Sequence, residues 1–165
     1  MKLDELKEIT EIDIKDYIDF RENVKSNMEH PEWLGDFTID EIKEGLESKS
    51  MKIWVYKSNN ENVCSMMLLK SSEKSLQKLE LNLKADEVVD YGPMFVNPKF
   101  VGNGLQYQML KRLDQFCQSK GYKYAASTVH PDNVFSIKNI EKDNFILQSV
   151  KEFKRGLRNI YLKKY

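Results

Sequence analysis

The chain of 165 residues is long enough for a single domain, 1–165, whose core needs no metal or disulfide framework. Basic and acidic residues balance at 26 each, so no net field draws the protein toward nucleic acid or an anionic membrane. The opening MKLDELKEITEIDIKDY carries acids throughout, and no segment approaches the roughly 20 apolar residues of a membrane span, which implies a cytoplasmic protein without a membrane partner. Cys64 and Cys117 have no C-x-x-C partner and read as buried thiols of a reducing compartment.

Ile14, Tyr17, Ile18 and Phe20 recur at helical spacing between Ile12 and Val24. A loop, HPEWLGDFT, follows, and Thr38 with Glu41 forms a capping box for a second helix running from Ile39 to Ser48. MKIWVY (51–56) and VCSMMLLK (63–70), separated by the asparagine-containing KSNNEN, predict a β-hairpin. Residues 71–87 are strongly polar and read equally as a loop or as a short helix with Leu76, Leu79 and Leu83 inward.

VVDYGPMFV (88–96) predicts a strand whose internal Gly92-Pro93 imposes a bulge or break. From Gly104 to Lys120 the positions Leu105, Met109, Leu110, Leu113, Phe116 and Cys117 form one helical stripe, stopped by Gly121. YKYAASTV (122–129) is then a strand, HPDN a turn, and Asn133 to Lys142 a helix ending near Asn144. FILQSV and RNIYLKK close the chain as strands. This order, without internal repeats, describes one mixed α/β (α+β) domain.

The chemistry-bearing stretch is FVNPKFVGNGLQYQML. A strand that turns into a helix leaves the first helical N–H groups unpaired, and with the helix dipole they suit a phosphate. Glycines at 102 and 104 would let the backbone approach the oxygens. A G-x-G of this composition arises by chance in roughly one such chain in four, so a simple strand-to-helix turn is the alternative. A dinucleotide fingerprint would need glycine where Tyr107 stands, and the Gly-Lys-Ser/Thr of a P-loop is absent.

NPKFVGNGLQYQML resembles the acetyl-CoA motif of the GNAT acetyltransferases, P-x-[YF]-[RQ]-G-x-G-[ILV]-[GAQ], at Pro98, Phe100, Gly102, Gly104 and Leu105. TVHPDNVFSIKNIEKDNF is similar to that family's second motif at Asn133, Ser136 and Phe145. The resemblance implies the acyl-CoA N-acyltransferase fold, a central mixed, mostly antiparallel sheet with two splayed parallel strands, flanked by helices. It also implies acetyl-CoA as cosubstrate, a small-molecule, peptide or antibiotic amine as acceptor, and no metal. Whether the protein is a monomer or a homodimer stays open.

Carried over by residue, the backbone of Val101, Gly102, Asn103, Gly104, Leu105 and Gln106 would receive the pyrophosphate. Met94, Phe95 and Val96 would pair with the pantetheine arm as with an added strand, between the splayed strands. A backbone N–H near Phe95 or Val96 would meet the oxyanion. Asn133 and Ser136 would contact the cofactor or cap their helix, two compatible roles. His30 and Trp33 lie in the loop that lines the acceptor pocket in this family, with packing as the alternative role for Trp33.

Three departures bear on catalysis. A glutamate common on the motif strand aligns with Gly92, the usual arginine or glutamine before the first glycine is Val101, and a tyrosine that often protonates the leaving thiolate falls at Ile140. Asp90, two residues before Gly92 on the same strand face, would act as base through water or stay a structural carboxylate. Tyr91 or water would serve as the acid, or none is needed. His130 reads as a turn residue or a CoA-side contact rather than a catalytic group. The departures also motivate a second class of function, a CoA-binding sensor without catalysis. The basic KEFKRGLRNIYLKK alternates as a strand pair and reads as a solvated face rather than a nucleic-acid site.

Overall fold

The computed structural model describes Leu3 and residues 5–165. They form two compact units, 1–68 with 92–109 and 69–91 with 110–165.

In the first unit, β1 (Leu6–Glu8) runs antiparallel to β2 (Met51–Ser58), which turns into β3 (Glu61–Lys70). The hairpin turn is made by Asn59 and Asn60, both at positive φ, a conformation asparagine tolerates better than other non-glycine residues. β1 was not foreseen: LKE carries one apolar residue in three, and its strand character comes from pairing with β2. The helix α1 (Ile14–Ser26) buries Tyr17, Phe20 and Val24 along one stripe. The Thr38–Glu41 capping box opens α2 (Ile39–Glu47), with Glu41 N–H donating to Thr38 Oγ1 at 3.2 Å and Thr38 N–H to Glu41 Oε2 at 2.7 Å.

The second unit contains α3 (Glu73–Lys78), so the polar stretch folds as a short helix with Leu76 and Leu79 buried. Its strands β4 (Val88–Tyr91), β6 (Tyr124–Val129), β8 (Gly156–Lys164) and β7 (Ile146–Phe153) lie in that order. β4 and β6 are parallel and the other pairs antiparallel. The β4–β6 ladder ends at Asp90↔Ala126, whereas β6 continues beside β8 as far as Val129↔Asn159. Val88, Ala126 and Ile160 pack with Leu76 and Leu79 in one core cluster.

The predicted strand 88–96 is two strands. After β4 the chain breaks at Gly92-Pro93, and β5 (Phe95–Val96) pairs antiparallel with β3 through Ser65↔Phe95 and Cys64↔Val96. Next comes α4 (Leu105–Ser119), stopped by Gly121 at φ 78° with Tyr122 N–H returning to Cys117 O at 3.1 Å. Asn133 caps α5 (Val134–Lys142), which ends before Asn144 at φ 67°. Cys64 and Cys117 are buried free thiols, pushed up by burial to about 12 and about 11.

Candidate functional site

The turn between β5 and α4 is organised by Asn97. Its backbone N–H donates to Val63 O at 2.8 Å, its Nδ2 donates to Asn62 O at 2.9 Å, and its Oδ1 accepts Lys99 N–H at 3.1 Å. This fixes a 3-10 turn over Pro98–Phe100, to whose last carbonyl Asn103 Nδ2 donates at 2.9 Å. Gly102 and Gly104 follow at φ 91° and 66°, and a Cβ on either would meet nothing within 4 Å. The glycines are therefore required by backbone conformation, not by internal crowding.

Among the described residues, the N–H groups of Gly102, Asn103, Gly104 and Leu105 meet no acceptor. They stand at the N-terminus of the fifteen-residue α4, where the helix dipole favours an anion. Val101 differs from its neighbours: its N–H turns to Pro98 O at 3.5 Å, and its side chain is 69% exposed. Gln106 lies half-buried in the first turn of α4.

β5 pairs with β3 on one side, and among the described residues it has no second strand partner. The Phe95 ring is buried against Tyr17 and Phe20, at centroid distances of 5.8 and 5.1 Å, while Met94 and Val96 are half-buried. Aromatic packing anchors the one residue, and among the described residues the strand's other backbone edge meets no strand. His30 and Trp33 are brought together, their rings stacked at 4.2 Å, with His30 Nδ1 3.0 Å from Glu32 Oε1.

Asp90 and Tyr91, in the second unit, have different environments. The half-buried Asp90 carries no side-chain hydrogen bond or ion pair among the described residues, and burial pushes its carboxyl up to about 7. Tyr91 is 3% exposed and donates to Asp114 Oδ1 at 2.8 Å, with the Tyr165 hydroxyl against its own. Burial, reinforced by the neighbouring Tyr165, drives the Tyr91 hydroxyl far above the usual tyrosine range. Its hydroxyl proton is thus engaged by Asp114 inside the unit.

That network was not legible in the sequence. Lys163 Nζ lies 2.5 Å from Asp114 Oδ2 and 2.9 Å from Asp143 Oδ2, and Lys111 pairs with both aspartates. Its members are spread over α4, the end of α5 and β8, so no spacing rule connects them. Asn133 serves as the α5 cap, its Oδ1 accepting Ser136 N–H at 3.2 Å. Ile140 is buried at 2% exposure, which explains an apolar residue there as a core requirement. His130 accepts Asp132 N–H at 3.1 Å, as a turn residue would.

Among the described residues, no helix is long and apolar enough to cross a membrane. No protein-family model matches the sequence, and no curated protein does. Solved structures do. The aminoglycoside acetyltransferase AAC(6')-Ib, solved with paromomycin and acetyl-CoA, is 17% identical with a TM-score of 0.72, covering 96% of this chain and 92% of that one. An N-acetyltransferase from Staphylococcus aureus Mu50 is 18% identical, with a TM-score of 0.73 and 97% of both chains covered. A GNAT-family acetyltransferase from Streptococcus pneumoniae is 13% identical, with a TM-score of 0.74, covering 97% of this chain and 98% of that one. The chain therefore has the fold of the GNAT acetyltransferases, the acyl-CoA N-acyltransferase fold.

Proposed function

We propose that the protein is an N-acetyltransferase that moves the acetyl group of acetyl-CoA to a primary amine by direct attack on the thioester. The observation that carries this reading is the run of N–H groups without an acceptor from Gly102 to Leu105 at the head of α4. In the fold of acetyltransferases solved with acetyl-CoA, it suits a pyrophosphate. The free edge of β5 is the matching feature for the pantetheine arm, with Met94, Phe95 and Val96 supplying the backbone pairing.

In the reaction the amine nitrogen forms a bond to the acetyl carbon, the C–S bond breaks, and the CoA thiolate leaves and takes up a proton. An alkyl amine of pKa about 10.4 is roughly 99.9% protonated at pH 7, so releasing the nucleophile costs about 4 kcal/mol. A carboxylate with pKa about 7, such as Asp90, is tuned to accept that proton directly or through water. A backbone N–H near Phe95 or Val96 stabilises the oxyanion. The thiol, of pKa about 8.5, leaves with little acid assistance, so the reaction does not depend on Tyr91 or on a tyrosine at position 140.

His30 and Trp33 are the acceptor-side residues in this reading. The amine belongs to a small molecule, a peptide or an antibiotic, the last class suggested by the aminoglycoside bound in a structure of the same fold. Asn133 and Ser136 contribute cofactor contacts while preserving the α5 cap.

A second reading, a CoA-binding sensor with little or no catalysis, is favoured by one observation. The Gly92 position is packed on Met67 and holds no carboxylate. Titration calorimetry with acetyl-CoA tests both readings, and no heat of binding at millimolar ligand would sink them together. Thiol release across a panel of aminoglycosides, polyamines and peptide amines separates them: turnover supports the enzyme, and binding without turnover supports the sensor.

A further inference from the structure

The loop between α1 and α2 does not hang free; α1 grips its returning end. Arg21 lies on the buried stripe of α1 with Tyr17, Phe20 and Val24 and is 6% exposed, an unusual place for a guanidinium. Its Nη1 donates to Phe37 O at 2.6 Å and its Nη2 lies 3.1 Å from Asp36 Oδ1, so one planar fork holds two consecutive residues of the loop. The other Asp36 oxygen is 2.8 Å from Lys25 Nζ, one helical turn along. Glu22 Oε1, at 3.1 Å, completes the charge around Arg21.

The same stretch is seated on the break that precedes β5. An added Cβ on Gly35 would stand 2.6 Å from Pro93 Cγ, so no side chain fits between loop and ring. Pro93 is directly followed by Met94, the first of the three residues, Met94, Phe95 and Val96, assigned to the cofactor. Thr38, immediately after the gripped residues, caps α2, so the segment from Gly35 to Thr38 has contacts on successive residues. The stacked pair His30 and Trp33 precedes it in the same loop.

We propose that Arg21 is a positioning residue for the amine acceptor: through Asp36 and Phe37 it holds the loop bearing His30 and Trp33 on Pro93, beside the cofactor strand. The assignment rests on the acetyl-transfer reading above. It does not require Arg21 to touch a substrate, since its guanidinium is enclosed and its donors are occupied by the loop and by Glu22. A lysine, which is a point charge without the planar fork, would hold the Phe37 carbonyl and the Asp36 carboxylate in a less defined geometry.

The test uses the full chain, steady-state kinetics with the best amine found in the panel, and amide hydrogen exchange of residues 28–37. Arg21→Gln is expected to raise the acceptor KM about tenfold or more, the scale of one lost charge-assisted hydrogen bond, with acetyl-CoA binding unchanged. Exchange in residues 28–37 is expected to accelerate in parallel. Arg21→Lys should fall between, and Gly35→Ala, which leaves the Arg21 grip but crowds Pro93, should raise the same KM. Turnover in the wild type with an unchanged acceptor KM in Arg21→Gln and Gly35→Ala overturns the Arg21 assignment alone. Wild-type protein that binds acetyl-CoA but acetylates no amine overturns the acetyl-transfer reading and takes this assignment with it.

Discussion

Gly92 is seated on Met67: its N–H donates to Met67 O at 3.0 Å, and a Cβ at position 92 would stand 3.0 Å from both Met67 Cγ and Sδ. The absence of a glutamate there is thus coupled to the methionine beneath it. Gly92→Glu alone is expected to destabilise the fold by about 1–3 kcal/mol through overpacking, without gain of activity. Gly92→Glu with Met67→Ala relieves the crowding by deleting the Cγ and Sδ contacts. Urea unfolding of Gly92→Glu, Met67→Ala and the double variant checks the coupling: additive losses in the double variant would show that Met67 is not the obstacle.

Asp90 makes two linked predictions. Its folded pKa of about 7 lies above the unfolded value of about 3.9, so between these values the folded chain holds the extra proton. The favourable contribution is present below about pH 4 and is lost as pH rises through about 7. Asp90→Asn should therefore gain on the wild type as pH rises, by on the order of 1–3 kcal/mol at pH 8 after allowing for partial hydration. In the role of base proposed above, Asp90→Asn should also cost about 100-fold in kcat/KM and erase the ascending limb near pH 7. Denaturant melts at pH 5 and 8 read the first effect, and pH–rate profiles read the second. A wild-type pH profile in the variant would assign the base elsewhere.

At the turn, Gly102→Ala and Gly104→Ala each force a side chain into positive φ at a cost of about 1–2 kcal/mol. Both should weaken acetyl-CoA, because a strained backbone at either position shifts the N–H groups that have no acceptor. Titration calorimetry is expected to show a loss of about tenfold or more, in line with the strength of a charge-assisted hydrogen bond to backbone N–H. Gly121→Ala is the control. It has φ 78° and open space, but it closes the far end of α4, so it should cost similar stability and leave acetyl-CoA affinity unchanged.

Lys163→Met removes the ammonium shared by Asp114 and Asp143, two carboxylates with little or no exposure. Burial already raises the Asp143 carboxyl despite two lysine partners. The variant is expected to lose about 3–5 kcal/mol, the usual result of stripping one partner from a buried ion pair. Asp114→Asn in the same background should recover part of the loss by removing one uncompensated charge. Urea midpoints of wild type, single and double variants measure it.

Elements governed by neighbours a few residues apart were legible in the sequence. The Thr38 box, the Asn59-Asn60 turn, the α4 stripe with its Gly121 stop, and the Asn133 cap all follow from local hydrogen bonds and φ preferences. β1 was not legible, because LKE has no strand signal without β2 beside it. The extent of the Gly92 break was not legible either, because where β5 begins depends on its register with Ser65 and Cys64.

The candidate site divides along the same line. Two glycines and a helix behind them suffice to make an anion-binding turn, since φ freedom and unpaired N–H groups are properties of a few consecutive residues. Which titratable groups are available for chemistry depends on distant partners. Desolvation alone distinguishes Asp90 from an ordinary surface aspartate, and the neighbouring Tyr91 hydroxyl donates to Asp114. The sequence by itself determined the two-glycine turn at the head of α4. Only the tertiary structure decided that Met67 fills the place beside Gly92, that Lys163 neutralises two aspartates, and that Arg21 reaches across sixteen residues to Phe37, because each is a contact between segments that the chain order keeps apart.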